Sequence, residues 1–420
     1  MSLNWQFLKW MSVFIVGAIF VVSTENLSGR VTDAAGPSVY AALKTLRSPA
    51  ASHGFAVDNT GPGGRTYTKP TNIGLDLLST LAAVERGQED PFHAREHVRR
   101  VAAVLAKLRT YKGLFPEYIK LAADGAFADT DNGRLRVSSV DSAWLHFALS
   151  VAEAYYKKTD PLLARKLGDM VRAADYTVFV REGNTRFRHG MTLSSEDDTV
   201  LEEWPFNYDN KNSEARLLVV FLTAIGKVPE TVWREMTYTY TQAAGLPVAE
   251  GWAMSAFVEL AANSYFDEGR LASRTLGRSH ANYVAASQRI AAERGYKVFG
   301  WAPCYSPEDQ YKEYGLQNPD VATPYAAALL TTVDAPGASQ NFYKLVQSLA
   351  SPAGPAPFPD AVDPRTGQVL NRRALSLDQN LLYHALAKDT LRNLVSRTEW
   401  AREASRLISR VDEWHRPLPN

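Results

Sequence analysis

The chain has 420 residues, 45% of them apolar, and 46 basic against 45 acidic side chains. So balanced a charge leaves no electrostatic footprint for nucleic acid, and no nucleic-acid partner is expected. The single cysteine, Cys304, excludes an internal disulfide and any Cys-rich metal site.

In chain order, Lys9 precedes an apolar run from Trp10 to Val22 that is short for a membrane span and suited to the hydrophobic region of a signal sequence. Residues 1–23 therefore read as a signal peptide or an N-terminal membrane anchor. Export is expected, to the periplasm or to the periplasmic or exterior face of the inner membrane. Residues 24–65 read as a linker with a first helix through Val39-Tyr40-Ala41-Ala42-Leu43. The segment from Ala50 to Pro70 reads as a surface connection, and its Gly61-Pro62-Gly63-Gly64 lacks the following Lys-Ser/Thr of a phosphate loop.

From Thr71 the apolar residues recur every three to four positions, which predicts helices over 72–86, 93–110, 138–157, 161–178, 211–226, 230–243, 252–265, 276–293, 321–333, 338–350, 376–388 and 390–411. Between them lie aromatic- and Asp-rich loops at 112–136, 181–210, 298–320 and 351–374, with little strand signal beyond Tyr176 to Val180. Helices joined by long loops at alternate connections fit an all-α toroid, an (α/α)6 barrel over 66–412, with function gathered at the loop end. Other all-α arrangements share that helix pattern.

Three acidic stretches stand out. Asp141 falls near the start of an apolar helix, where unpaired amides favour a negative charge, though a plain cap gives the same pattern. Glu202-Glu203-Trp204-Pro205-Phe206-Asn207-Tyr208-Asp209 sets acids among rings, and Glu214 follows in the first turn of the next predicted helix. Asp360 lies in the fourth loop and Asp378 opens a late helix, where capping is the simpler explanation. Hydrolysis of a glycosidic bond needs one protonated carboxyl, one carboxylate, and aromatic surfaces to hold the sugar. Trp204, Tyr208, Trp252, Trp301 and Tyr314 are the candidate surfaces, with Asp209 and Asp378 as polar partners. Trp301 and Tyr314 sit in a loop that reads equally as a packed plug. His93 and His97 lack a third ligand, and Asp129 to Gly133 lacks the spacing of a calcium loop, so no metal or cofactor is expected.

The stretch Tyr67-Thr68-Lys69-Pro70-Thr71-Asn72-Ile73-Gly74-Leu75, followed by Leu77-Leu78-Ser79-Thr80-Leu81-Ala82-Ala83, resembles the TxPTNxGLxLLSxxAA signature of the glycoamylase-like (α/α)6 barrels. That family includes the processing domain of cyclic β-1,2-glucan synthases and is related to the endo-β-1,2-glucanases. The similarity continues in order through Tyr111 to Phe115, Val137 to Ser142, Ser213 to Leu217, Ile225 to Pro229 and Ala322 to Ala326. The resemblance implies a carbohydrate-active domain for β-linked glucan or a related envelope or extracellular polysaccharide, with Asp141 and Glu214 on the family's acidic positions. Asp360 stands where the synthase branch often has Glu. Val258 takes the place of a usual Glu, so Glu259 joins the catalytic candidates through a one-residue change of register. Three functional classes stay open: a hydrolase, a transglycosylase, and a non-catalytic glycan-binding or scaffold subunit of polysaccharide synthesis or export machinery.

Overall fold

A computed structural model describes residues 35–47, 53–181, 183–335, 337–349 and 356–418. The leader or anchor expected at 1–23 and the linker up to residue 34 lie outside them. No helix among the described residues is long and apolar enough to cross a membrane.

Helix α1 covers residues 35–44. The barrel helices follow as α2 (Pro70–Glu85), α3 (Pro91–Leu105), α4 (Ser139–Tyr156), α5 (Pro161–Ala173), α6 (Arg216–Ala224), α7 (Glu230–Glu235), α8 (Ala256–Leu260), α9 (Glu268–Leu271), α10 (Leu276–Glu293), α11 (Pro324–Leu330), α12 (Ala338–Leu349), α13 (Ser376–Leu386), α14 (Lys388–Ser396) and α15 (Ala401–Ser409). Several start by one device: a proline at the first position, whose missing N–H costs nothing there. Asp90, Asp160 and Thr323 cap three of these starts by accepting from backbone amides of the first turn.

Burial sorts the helices into two rings. Every residue of α2 from Pro70 to Ala83 is buried, as are all seven of α11, so these helices are apolar all round and belong inside. In α5 only Leu163, Ala164, Leu167, Gly168 and Val171 are buried, a single stripe that leaves the other face to water. The inner ring is α2, α4, α6, α8, α11 and α13; α3, α5, α7, α10, α12 and the α14–α15 pair lie outside it. Neighbouring inner helices touch around the ring, and α13 closes back onto α2. Ser79 donates to Asn380 across that seam at 2.7 Å. Gly74 lets α2 and α4 meet at backbone distance, since a Cβ there would lie 2.7 Å from the Trp144 carbonyl oxygen. This is the (α/α)6 toroid the sequence predicts.

The loops depart from expectation. About half of 112–136 and of 181–210 is β-structure, including an antiparallel sheet in the order Thr130–Asp131, Arg134–Ser138, Gly190–Ser194, Val200–Glu203. Leu135 faces Leu193 and Val137 faces Met191 in its register, all four buried. The alternation Arg134-Leu135-Arg136-Val137 is a short period-two signal hidden beside longer helical patterns. Residues 230–243 are not one helix: α7 stops at Glu235, and Tyr240–Ala243 pairs with Leu246–Ala249 as a hairpin. Thr237, Thr239 and Thr241 there favour extended backbone. Residues 252–265 break into the 3-10 turn Trp252–Met254, α8, and the 3-10 turn Ala261–Ser264, while Tyr176–Phe179 is 3-10 rather than strand.

Candidate active site

The N-terminal ends of the inner helices open at one end of the ring, and the sheeted loops bank around them. Strand Arg134–Ser138 runs directly into α4, with Ser138 as its N-cap, so the sheet fixes where Asp141 projects. Thr71, in the first turn of α2, donates to Asp141 Oδ1 at 2.7 Å. The opening thus ties two neighbouring inner helices together through the side chain it displays.

Glu214 lies on the turn just before α6. Tyr208 donates its hydroxyl to Glu214 Oε1 at 2.6 Å, and the Tyr208 ring is stacked on His189 at 3.8 Å. Burial of the carboxyl raises its pKa, and the nearby charge of Asp141 raises it further. The Tyr208 hydrogen bond and the Lys69 ammonium act the other way without cancelling the rise. Glu214 is half-buried, so it holds its proton to higher pH than a free carboxyl while remaining within reach of a ligand.

A second acidic group is built from the fourth loop and α13. Asp360 and Asp378 are both buried, and each acts on the other's ionisation. Tyr305 donates its backbone N–H to Asp360 Oδ2 at 2.6 Å. Burial pushes the Asp360 carboxyl up to about 6, against the lowering effects of Asp378, the Tyr305 amide and the Arg373 charge. Burial first, and then the charge of Asp360, hold Asp378 well above the usual carboxylate range. Two adjacent buried carboxyls of this kind hold one proton and one charge between them. Tyr311 links the two acidic groups: the residue is half-exposed, while Asp378, Asp360 and Glu214 together add to the effect of burial on its hydroxyl.

The signature stretch supplies more of the site than its acids alone suggest. Lys69 is held charged, against the cost of burial, by Asp141, Tyr118, Glu117 and Asp58, and its ammonium sits 4.8 Å from the centre of the Tyr118 ring. Asn72 donates to Asp58 Oδ1 at 2.9 Å, and Asn59 to Oδ2 at 2.8 Å. Asp58 thus belongs to the opening rather than to a plain surface connection. Asp58, Lys69, Glu117 and Tyr118 were not among the sequence candidates; Lys69 and Asn72 stood inside the signature, but Glu117 had no local signal. Arg136 lies 4.5 Å over the Trp204 ring, whose Nε1 donates to Thr192 at 3.0 Å, and Arg373 lies 3.8 Å over the Tyr305 ring.

Other candidates stand elsewhere. Glu259 is fully buried with both carboxylate oxygens engaged, one by Asn212 at 2.7 Å and one by His280 at 2.8 Å, so it has no free oxygen for a ligand. Asp209 pairs with Arg186 on the surface at 3.1 Å. Trp301 has no exposed surface, and Tyr314 is buried as well; the aromatic loop is a packed plug at both positions. Trp252, by contrast, is 46% exposed on a turn where Ala253 has a positive φ. His97 meets Asp76 at 3.1 Å and His93 is exposed, so the two do not converge.

No protein-family model matches the chain, and no curated protein matches its sequence. Solved structures do. An endo-β-1,2-glucanase from Chitinophaga pinensis, in complex with sophorotriose and glucose, superposes with a TM-score of 0.73 over 91% of this chain and 98% of its own, at 15% identity. The endo-β-1,2-glucanase from Talaromyces funiculosus, in complex with sophorose, gives 0.72 over 94% of this chain and 91% of its own, at 12% identity. Likeness at that identity establishes the fold alone: the chain is an (α/α)6 barrel, an architecture shared with these two glucanases nearly end to end.

Proposed function

We propose that the protein is a glycoside hydrolase acting on a β-linked glucan, with β-1,2-linked chains as the first substrate to test. The observation that carries this reading is the pairing of unlike acids around one side chain: half-buried Glu214, its pKa raised, and the buried Asp360–Asp378 pair, which keeps a negative charge, both act on the Tyr311 hydroxyl. Glu214 is the proton donor to the leaving glycosidic oxygen. Tyr208 occupies Oε1, which leaves Oε2 to carry the proton. The Asp360–Asp378 pair is the base that takes a proton from the attacking water, and the Asp141 charge keeps Glu214 protonated. Trp252, Trp204 and Tyr311 offer ring surfaces to the sugar. The two glucanases with the same architecture support the choice of glucan.

The test is reducing-end release and product chromatography with the purified full-length chain on β-1,2-glucan, other β-glucans and bacterial exopolysaccharides. Shorter products that vanish in Glu214→Gln support hydrolysis; products longer than the substrate reveal transfer to a sugar hydroxyl instead of water. Saturable binding with unchanged chain length in every case overturns the enzyme reading. We further propose that the protein works outside the cytoplasm, with residues 1–23 as leader or anchor; fractionation of cells carrying the native chain, which should place it in the periplasm or membrane, tests this.

A further inference from the structure

The turn that carries Glu214 has no cap of its own: α6 begins after Ala215 with no side chain accepting from its first amides. Its geometry comes from both flanks. On one side the Lys211 ammonium, fully buried, donates to the carbonyls of Trp233 at 2.7 Å, Arg234 at 3.2 Å and Met236 at 2.5 Å, which pins the turn to the end of α7. On the other side stands a closed ionic network. Arg216 donates to both oxygens of Glu268 at 3.0 and 3.1 Å, to Asn212 Oδ1 at 2.8 Å and to the Glu259 carbonyl at 2.7 Å. Asn212 returns a bond to Glu259 Oε2 at 2.7 Å. His280 joins the two acids, Nδ1 to Glu259 at 2.8 Å and Nε2 to Glu268 at 3.1 Å.

The charge state follows from the donors. Ionised carboxylates only accept, so an imidazole with a carboxylate oxygen on each nitrogen carries both protons. Arg216 and the His280 imidazolium then balance Glu259 and Glu268, and all four are about 1% exposed. The fit is tight: at Gly251 an added Cβ would lie 2.6 Å from the Asn212 carbonyl oxygen. A buried ion network of this size is a weak source of stability compared with apolar packing of the same volume. What it gives here is direction, because Asn212 and Arg216 bracket Glu214 two residues to either side.

We propose that Glu259, His280, Glu268 and Arg216 are positioning residues that fix where the Glu214 carboxyl points, acting through Asn212 on the turn 211–216. The inference rests on the hydrolase reading, and it gives Glu259 a place in the reaction without contact with the sugar. A proton donor displaced by about 1 Å loses on the order of a hundredfold in rate while the sugar surfaces remain intact.

The test compares Glu259→Gln and Asn212→Ala with the parent on a β-1,2-gluco-oligosaccharide, and reads the Glu214 carboxyl directly by 13C-glutamate NMR titration, assigned with Glu214→Gln. Asn212→Ala cuts the link while leaving the four charged groups paired, and so serves if Glu259→Gln does not fold. The expected result is a fall in kcat of roughly a hundredfold with KM within about twofold, and a displaced Glu214 titration midpoint. Folded variants with the parent kcat and the parent midpoint overturn the proposal. If the parent has no turnover, the hydrolase reading fails by itself, and the NMR midpoint alone decides whether the network governs Glu214: a displaced midpoint upholds the positioning role and an unchanged one overturns it.

Discussion

Replacing Asp360 by Asn should make the protein more stable and less active. Burial holds this carboxyl at about 6 instead of 3.8, or about 3 kcal/mol for ionising Asp360 inside the protein rather than in the unfolded chain. The sign follows from proton counting. Between about pH 4 and 6 Asp360 holds its proton longer in the folded state than in the unfolded one, so stability falls as pH rises through that window, and the Asp360 share of the penalty is complete above it. Asn cannot ionise; its carbonyl still accepts from the Tyr305 amide and its NH2 faces Asp378. Asp360→Asn is therefore expected to gain up to about 3 kcal/mol over the parent at pH 7.5 and almost nothing at pH 4, while turnover drops by about 10²-fold or more through loss of the base. Denaturant unfolding at the two pH values, with kinetics at pH 7, measures both. A variant destabilised equally at both pH values, with unchanged turnover, would refute the shared-proton pair and its role together. A gain in stability bought by a loss of function is the mark of a strained functional group.

With Glu214 as the proposed proton donor, its raised carboxyl should set the alkaline limb of the rate profile; Tyr208→Phe removes a bond that lowers its pKa, and the limb should move to higher pH in kcat measured across pH 5–9. Glu214→Gln should abolish turnover while circular dichroism and the melting temperature stay near the parent's; retained turnover would remove Glu214 from the chemistry. The two tryptophans should part company. Trp301→Ala empties a fully buried site and is expected to cost about 3–5 kcal/mol, whereas Trp252→Ala should leave stability within about 1 kcal/mol and weaken binding of long chains roughly fivefold. Calorimetry on both variants checks the contrast.

Helix placement was largely legible because the inner helices are apolar all round and the outer ones striped, and both patterns survive in a bare sequence. Asp141 and Glu214 stood out as candidates for a local reason: each stands at the start of an apolar run. The errors came where two signals competed. Residues 237–241 carry period-two alternation only a few residues long, which a helical window absorbs, and the equally short alternation at 134–137 sits at the end of an aromatic loop, so the sheet that aims Asp141 went unseen. Glu259 looked catalytic because one carboxylate on a helix start resembles another until its partners are known; His280 and Asn212 are 21 and 47 residues away from it. Glu117 and the pairing of Asp360 with Asp378 depend on three-dimensional proximity alone. Trp301 illustrates a different ambiguity, since a ring-rich loop with Gly and Pro suits a plug and a platform equally, and only burial separates them.

The seam between α2 and α13 has a consequence for how the chain reaches its native state. Ser79 and Asn380 are 301 residues apart in sequence, and α2 and α13 are the first and last inner helices, so the ring cannot shut until almost the whole barrel has been synthesised. Contacts of that separation form late and slowly, because loop closure must precede any reward from packing. Before closure, inner helices that are apolar on every side expose their faces to water, a state prone to association with other chains. Truncations that remove α13 should accordingly yield aggregates rather than a smaller barrel, and recovery of soluble protein from refolding should improve at low chain concentration.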